Sequence, residues 1–358
     1  MTLLLTNQEV ENALTPRDAI TATESIYREL AEGKAINRPR SQTYLPGESK
    51  RHPGFTYRFK SQEGGSMESG VWALRITSDM AGFSYTAGIK RRRILPVATG
   101  DRFCGLVVLF DTESIEPVAI MPDGVIQKMR VAAMSCVGAK YLAPKKPKVL
   151  GLFGTGWQAS AHIEFLCTLW DFDLVKAYSP NTEHCREFCK TMSARLGRNV
   201  KAATSPREAV EGSDIVQAAT AAWEPVFDGH WVDKGMYICS IGGADASNKR
   251  RELDDEAIRR ADRYVVHSKE VARLDQSPDI WELAQRGIKK WDEIAEIQDL
   301  ISGKVSGRMT ADEITVFNNN TGAGLQFAGV GASVLRRARE MGLGRELPTE
   351  WFLESVSP

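Results

Sequence analysis

The chain has 358 residues, 42% hydrophobic and 26% charged, the make-up of a soluble globular protein with room for two cores, and extended disorder is excluded. Lys plus Arg and Asp plus Glu both number 46, so no charge excess points to nucleic acid or an anionic membrane, and small molecules are the expected partners. No run approaches the roughly 20 apolar residues of a spanning helix, and "MTLLLTNQEVENALT" lacks the basic segment of a signal peptide.

That opening reads as a first strand. "TPRDAITATESIYRELAEG" follows, with Thr15 as N-cap, Pro16 at the first helical position, an apolar stripe and a closing Gly33, the marks of a helix. "TYLPG", "FTYRFKS" and "VWALRITS" are strand-like, and "RFCGLVVLFD" with "EPVAIMP", separated by "TESI", reads as an antiparallel hairpin. The Ala-rich "GVIQKMRVAAMSCVGAKYLA" is helical, stopped by Pro144 and Pro147, and is the expected connector between domains. From Val149 strands and helices alternate: "KVLGLFG", a helix to about Leu169, "LVKAYS", a helix from about Thr182, "KAATS", "REAVEGS", "DIVQAAT", "GMYICSIG" and "DRYVVHS". Such alternation implies a parallel sheet covered on both faces. After helical "DIWELAQRG" and "IAEIQDLISGK" come a strand, "EITVFNNN", and a final helix, "LQFAGVGASVLRRAREMGLG", expected to pack back on the first domain because its apolar face needs cover.

Cys104, Cys136, Cys167 and Cys239 lie in apolar surroundings and read as buried free thiols, which fits a cytoplasmic protein. Cys185 and Cys189, beside His184, share a helix face, but no second ligand pair is spaced to complete a metal site.

The chemistry starts at "VLGLFGTGWQASAHIEF". Gly154, Thr155, Gly156, Trp157, Gln158 and Ala159 fit G-x-G-x-x-G/A directly after an apolar strand and at the opening of a helix. There the first Gly allows a tight turn, the second lets backbone approach a pyrophosphate, and the small final residue lets helix pack on strand. Free N–H groups and partial positive charge at the helix start suit the phosphates. The next strand ends in Ser179, Pro180, Asn181 and Thr182, where an acid would bind ribose hydroxyls and repel a 2′-phosphate. Uncharged groups there, with Arg186 nearby, favour NADP over NAD.

On these elements, and on "RPR", "GLVVLFDTESIEPVAIMPDGVIQKMRVAA", "GTGWQA", "IGGADASNKRREL" and "ITVFNNNTGAG", the chain resembles the ornithine cyclodeaminase/mu-crystallin family, which includes ketimine reductases and amino-acid dehydrogenases. The resemblance runs from about Arg38 to Arg339. It implies an α/β protein with a Rossmann-type, doubly wound dinucleotide-binding domain, expected over 144–319. The other domain is an α+β substrate and dimerisation domain of residues 1–143, completed by about 320–358, in a homodimer.

By the same resemblance Arg130 in "MRVAA" holds the substrate carboxylate, for which a planar bidentate cation is suited. Arg40 in "NRPRSQ" is a second substrate arginine, the other reading being a surface loop cation. Asp245 in "IGGAD" is the catalytic acid or base, exchanging a proton with the substrate nitrogen as hydride moves at the adjacent carbon; the other reading is a turn or cap.

Three departures from the family pattern stand out. Arg75 occupies the position of a usual Lys, retaining the charge but not the neutral amine. Phe327 in "GLQFAG" stands where an acid is usual. Arg58, Lys60 and Arg75, with "KRRR" at Lys90 to Arg93, make the first domain more basic than one carboxylate requires. Together the three departures argue against ornithine. The expected activity is nicotinamide-dependent hydride transfer at a C–N bond: reduction of a ketimine or imino acid, or oxidation of an amino acid, with Arg75 assisting Arg130 and Arg40. The alternatives are a cyclodeaminase with redox-neutral cofactor cycling and release of ammonia, and a catalytically weak NADP-binding protein.

Overall fold

The computed structural model describes every residue except 87–88, 244–248, 320–321 and 356–358, and the side chains of all the described residues outside 84–92. The chain divides into two units, Met1–Arg130 with Gly322–Pro358, and Val131–Thr321. The first part of the chain forms β1 (Thr2–Leu4), α1 (Asn7–Ala13), α2 (Pro16–Ala31), β2 (Ala35–Asn37), β3 (Ser41–Tyr44), β4 (Phe55–Ser66), β5 (Val71–Thr86), β6 (Ile89–Leu95), β7 (Cys104–Asp111), β8 (Pro117–Pro122) and α3 (Gly124–Leu142), within which the division falls. There follow β9 (Val149–Phe153), α4 (Trp157–Leu169), β10 (Leu174–Tyr178), α5 (Thr182–Leu196), β11 (Val200–Ala202), α6 (Pro206–Val210), β12 (Ile215–Ala218), β13 (Tyr237–Ser240), α7 (Asp255–Arg259) and β14 (Arg263–Val266). The last elements are α8 (Lys269–Leu274), α9 (Trp281–Gln285), β15 (Ala295–Glu296), α10 (Ile297–Ile301), β16 (Thr315–Asn318), α11 (Gly324–Glu340) and β17 (Arg345–Leu347).

The first unit is built on a nine-stranded sheet of order β17-β1-β8-β7-β5-β4-β2, with β3 beside β4 and β6 beside β5. All its pairings are antiparallel except β1 with β8, and the expected hairpin is β7–β8. Helix α2 starts as its sequence dictates: Thr15 Oγ1 accepts from Asp18 N at 3.2 Å, and Ala19, Ile20, Ile26 and Tyr27 are buried. The final helix α11 does pack within this unit. A Cβ on Gly64 would lie 2.7 Å from Leu325 N, and one on Gly324 would lie 2.1 Å from Glu63 backbone, so both glycines are required for the start of α11 to rest on β4.

"KRRR" lies in strand β6, paired antiparallel with β5. One sequence reading is corrected. Cys104, at the start of β7, is exposed and Cys167 half-buried, because their apolar neighbours in sequence do not cover them; Cys136 and Cys239 are buried as expected.

The second unit is an eight-stranded sheet of order β11-β10-β9-β12-β13-β16-β14-β15, with every pair parallel. Its strands are apolar nearly throughout, as parallel strands buried on both faces must be. The order reverses between β9 and β12, and such a switch point is where open α/β sheets bind ligands. No helix among the described residues is long and apolar enough to cross a membrane.

Candidate active site

At the switch point the chain leaves β9 through Gly154, whose φ of 102° only glycine adopts freely, and whose Cβ would lie 2.4 Å from Ala219 O. Gly156 is the N-cap of α4; no side chain caps that end, and a Cβ there would meet nothing within 4 Å. Free N–H groups thus face open space at the start of a four-turn helix, which is the chemistry a pyrophosphate needs. Ala159 is fully buried where helix meets strand, and Trp157 is exposed. Thr155 is mostly buried, its hydroxyl 3.1 Å from His184 Nδ1. The Gln158 carbonyl accepts from His162 Nδ1, while its side-chain Oε1 is buried without a hydrogen-bond partner. These residues fit a dinucleotide.

At the end of β10 Ser179 is half-buried and Thr182 exposed. Asn181 caps α5 by accepting from His184 N at 2.9 Å, so its carbonyl oxygen has a structural task besides any ligand. The acid that would mark an NAD ribose pocket is absent from Ser179 to Thr182.

In the first unit, pairing register assembles a basic face. Opposed residues on β4 and β5 are Gln62 with Arg75, Lys60 with Thr77 and Arg58 with Asp79, and alternation along the strands turns all six to one side of the sheet. Arg75 donates through Nε and Nη2 to Asp123 Oδ2 at 2.9 and 2.6 Å and through Nη1 to Gln62 Oε1 at 2.7 Å. Arg130, on α3, is only 1% exposed, yet its partners are amides: Nη1 donates to Gln326 Oε1 at 2.9 Å and Nη2 to Gln127 Oε1 at 2.8 Å. Gln326 is held in turn by donation to Tyr27. The Phe327 ring is buried, with the Arg130 and Arg75 guanidinium carbons 5.1 and 5.4 Å from its centroid. The ring attracts both cations but neutralises neither.

Burial, and then Arg75, pushes the Arg130 guanidinium down to about 9. It remains charged at neutral pH. Arg40 lies just before β3, half-exposed, and its charge adds to the depression of both Arg130 and Lys60. The structure brings Arg75 and Arg130 against one ring, with the charge of Arg40 acting on Arg130. Gln62, Asp123, Gln127 and Gln326, which fix two of these arginines, were missed; Gln326 is 196 residues from Arg130, and only the docking of α11 reveals it.

Asp245 lies outside the described residues. Seven residues later in sequence, Glu252 is fully buried and saturated. Its Oε1 accepts from Thr220 N and Oγ1, both at 2.6 Å, and its Oε2 from Ser240 Oγ and Ile241 N at 3.0 and 2.9 Å. That carboxylate braces the ends of β12 and β13 rather than standing ready for a substrate.

The model of the ornithine cyclodeaminase/mu-crystallin family matches residues 1–327. A Delta(1)-pyrroline-2-carboxylate reductase of Bacillus cereus is 32% identical over 68% of this chain and 74% of its own length. The structure of the Thermococcus litoralis Delta(1)-pyrroline-2-carboxylate reductase in complex with NADH and L-proline superposes with a TM-score of 0.81 at 29% identity, covering 97% of this chain and 100% of that one. An archaeal alanine dehydrogenase dimer with bound NAD gives 0.79 at 27% identity, covering 97% and 99%.

Proposed function

The chain belongs to the ornithine cyclodeaminase/mu-crystallin family, and from that membership and the basic face we propose that it is an NAD(P)H-dependent oxidoreductase acting on a C–N bond of an amino-acid-like substrate. The observation that carries this reading is Arg130, a buried guanidinium whose hydrogen bonds end on two amides. A buried charge without a carboxylate partner is costly in the free protein, and an α-carboxylate supplied by substrate offsets that cost. Arg75, anchored by Asp123 and Gln62, and Arg40 add to the potential that draws the acid in.

The nicotinamide supplies or accepts the hydride at the carbon bearing nitrogen. Gly154 to Ala159 hold its pyrophosphate, with Ser179, Asn181 and Thr182 lining the ribose pocket, and the missing acid there favours the 2′-phosphorylated form. Asp245 exchanges the proton with the substrate nitrogen.

We place the enzyme in the cytoplasm, where its free thiols stay reduced. We also infer a homodimer, as in the archaeal relative, formed through the apolar outer face of the first unit's sheet.

The test is oxidation of NADPH and of NADH in the presence of cyclic imines and of keto acids mixed with ammonia or methylamine. Cofactor-dependent reduction of at least one such imine is expected, with NADPH at least as effective as NADH. Ammonia release from a diamino acid without net cofactor consumption would instead identify a cyclodeaminase. No turnover in either assay would leave a binding protein.

A further inference from the structure

The basic face extends past the residues that a single carboxylate employs. One strand step from Gln62 and Arg75, about 7 Å along the sheet, Lys60 stands on the same side, and one step further is Arg58. Arg58 is completely buried; its Nη2 pairs with Asp79 Oδ2, but its Nε and Nη1 have no hydrogen-bond partner. Lys60 Nζ lies 3.7 Å from that same Asp79 oxygen, so one carboxylate is divided between two cations. Arg58, Lys60, Arg75 and Arg130 thus gather where, among the described residues, ion pairs supply only Asp79 and Asp123. Phe327, buried against Arg75 and Arg130, adds no negative charge. An α-carboxylate leaves this surplus unresolved.

Resting on the reductase reading above, we propose that Lys60 receives a second acid group of the substrate, so that the site is built for the imine of a dicarboxylic amino acid. Lys60 is the less enclosed cation of the pair, its side chain being 18% exposed where that of Arg58 is sealed. The spacing of one strand step from the Arg75 position matches two carboxylates separated by a short carbon chain.

Burial, then Arg58 and Arg75, pushes the Lys60 amine down to about 7; Arg40 acts in the same direction and Asp79 against it. A carboxylate bound at Nζ favours the ammonium form, so binding a diacid draws a proton into the site. Affinity for the diacid then falls as pH rises above about 7.

Two measurements on the full chain test this. The first compares kcat/KM for imines formed with ammonia from oxaloacetate or 2-oxoglutarate against those from pyruvate or 2-oxobutyrate. Wild type should prefer the diacids by about tenfold or more, Lys60→Met should collapse that ratio toward one through KM, and Lys60→Arg should restore it without the pH dependence. The second is calorimetry of succinate against butyrate in two buffers of different ionisation enthalpy, which reads proton uptake directly and requires no turnover. Succinate binding with proton uptake near pH 7 supports the diacid site even if no imine is reduced, a result that would sink only the reductase reading. A monocarboxylate preference in wild type, an unchanged ratio in Lys60→Met, or succinate binding without proton uptake would overturn the proposal.

Discussion

Arg130 shows what a single residue contributes and what it costs. Its guanidinium is held on three sides, by Gln127, Gln326 and the Phe327 ring, and each of these positions the cation without cancelling it. An acid in place of Phe327 would form a buried ion pair with the two arginines and compete with substrate; the ring keeps them aligned and leaves their charge for a ligand. Arg130→Ala is expected to remove on the order of 2–4 kcal/mol of transition-state binding, measured as kcat/KM on whichever imine the screen identifies. Affinity for the cofactor, titrated by fluorescence, should be nearly unchanged. Full activity in the variant would take the carboxylate from Arg130. In sequence the residue was singled out by its match to the family's arginine helix, in "MRVAA" among small apolar neighbours. Its clamp was not, because Gln326 and Phe327 arrive from the far end of the chain on a helix whose docking depends on Gly64 and Gly324.

Elements were legible where a local signal sets them. Thr15 and Pro16 fix the start of α2, and the apolar strand before Gly154 fixes the phosphate loop. Helix α1 has an equally local signal, the Thr6–Glu9 capping box, masked by reading its residues only as the end of a strand. Strand β6 was obscured because its pairing to β5 is non-local while its charges are conspicuous. Helix α4 carries a consequence no motif announces: His162 is fully buried, its Nδ1 donating to Gln158 O at 2.8 Å and its Nε2 3.0 Å from Ser135 Oγ. Burial pushes the imidazole down from 6.5 to about 4. The unfolded chain therefore binds a proton that the folded one refuses, so stability is complete above about pH 6.5 and declines as pH falls toward 4. The loss is about 3 kcal/mol, seen as a falling unfolding midpoint across that window. His162→Gln, which hydrogen-bonds without titrating, should flatten this part of the profile; an unchanged slope would assign the acid sensitivity to other groups.

At the scale of the molecule, a net charge of zero conceals a strong local imbalance, and composition alone is blind to it. The first unit's sheet separates its two faces: Arg58, Lys60, Gln62 and Arg75 to one side, and Phe59, Ile76 and Leu106 to the other. Alternation in "FTYRFKS" and "VWALRITS" announced two faces, but not that the outer one would remain uncovered in a single chain. There Phe59 is 40% exposed and Leu106 36%, with Trp72, Leu74, Ile76 and Val108 half-exposed around them. A contiguous apolar face of this kind marks an association surface, and a second copy is the occupant proposed above. Sedimentation of the wild-type protein should then give twice the chain mass of 39.6 kDa. Leu106→Asp would bury an unpaired carboxylate at the contact, a cost of about 3 kcal/mol or roughly a hundredfold in dimer Kd. The variant should sediment as a monomer at concentrations where wild type is paired, while its circular dichroism shows the sheet intact. A wild-type monomer, or a folded Leu106→Asp variant that pairs as tightly as before, would move the interface away from this sheet.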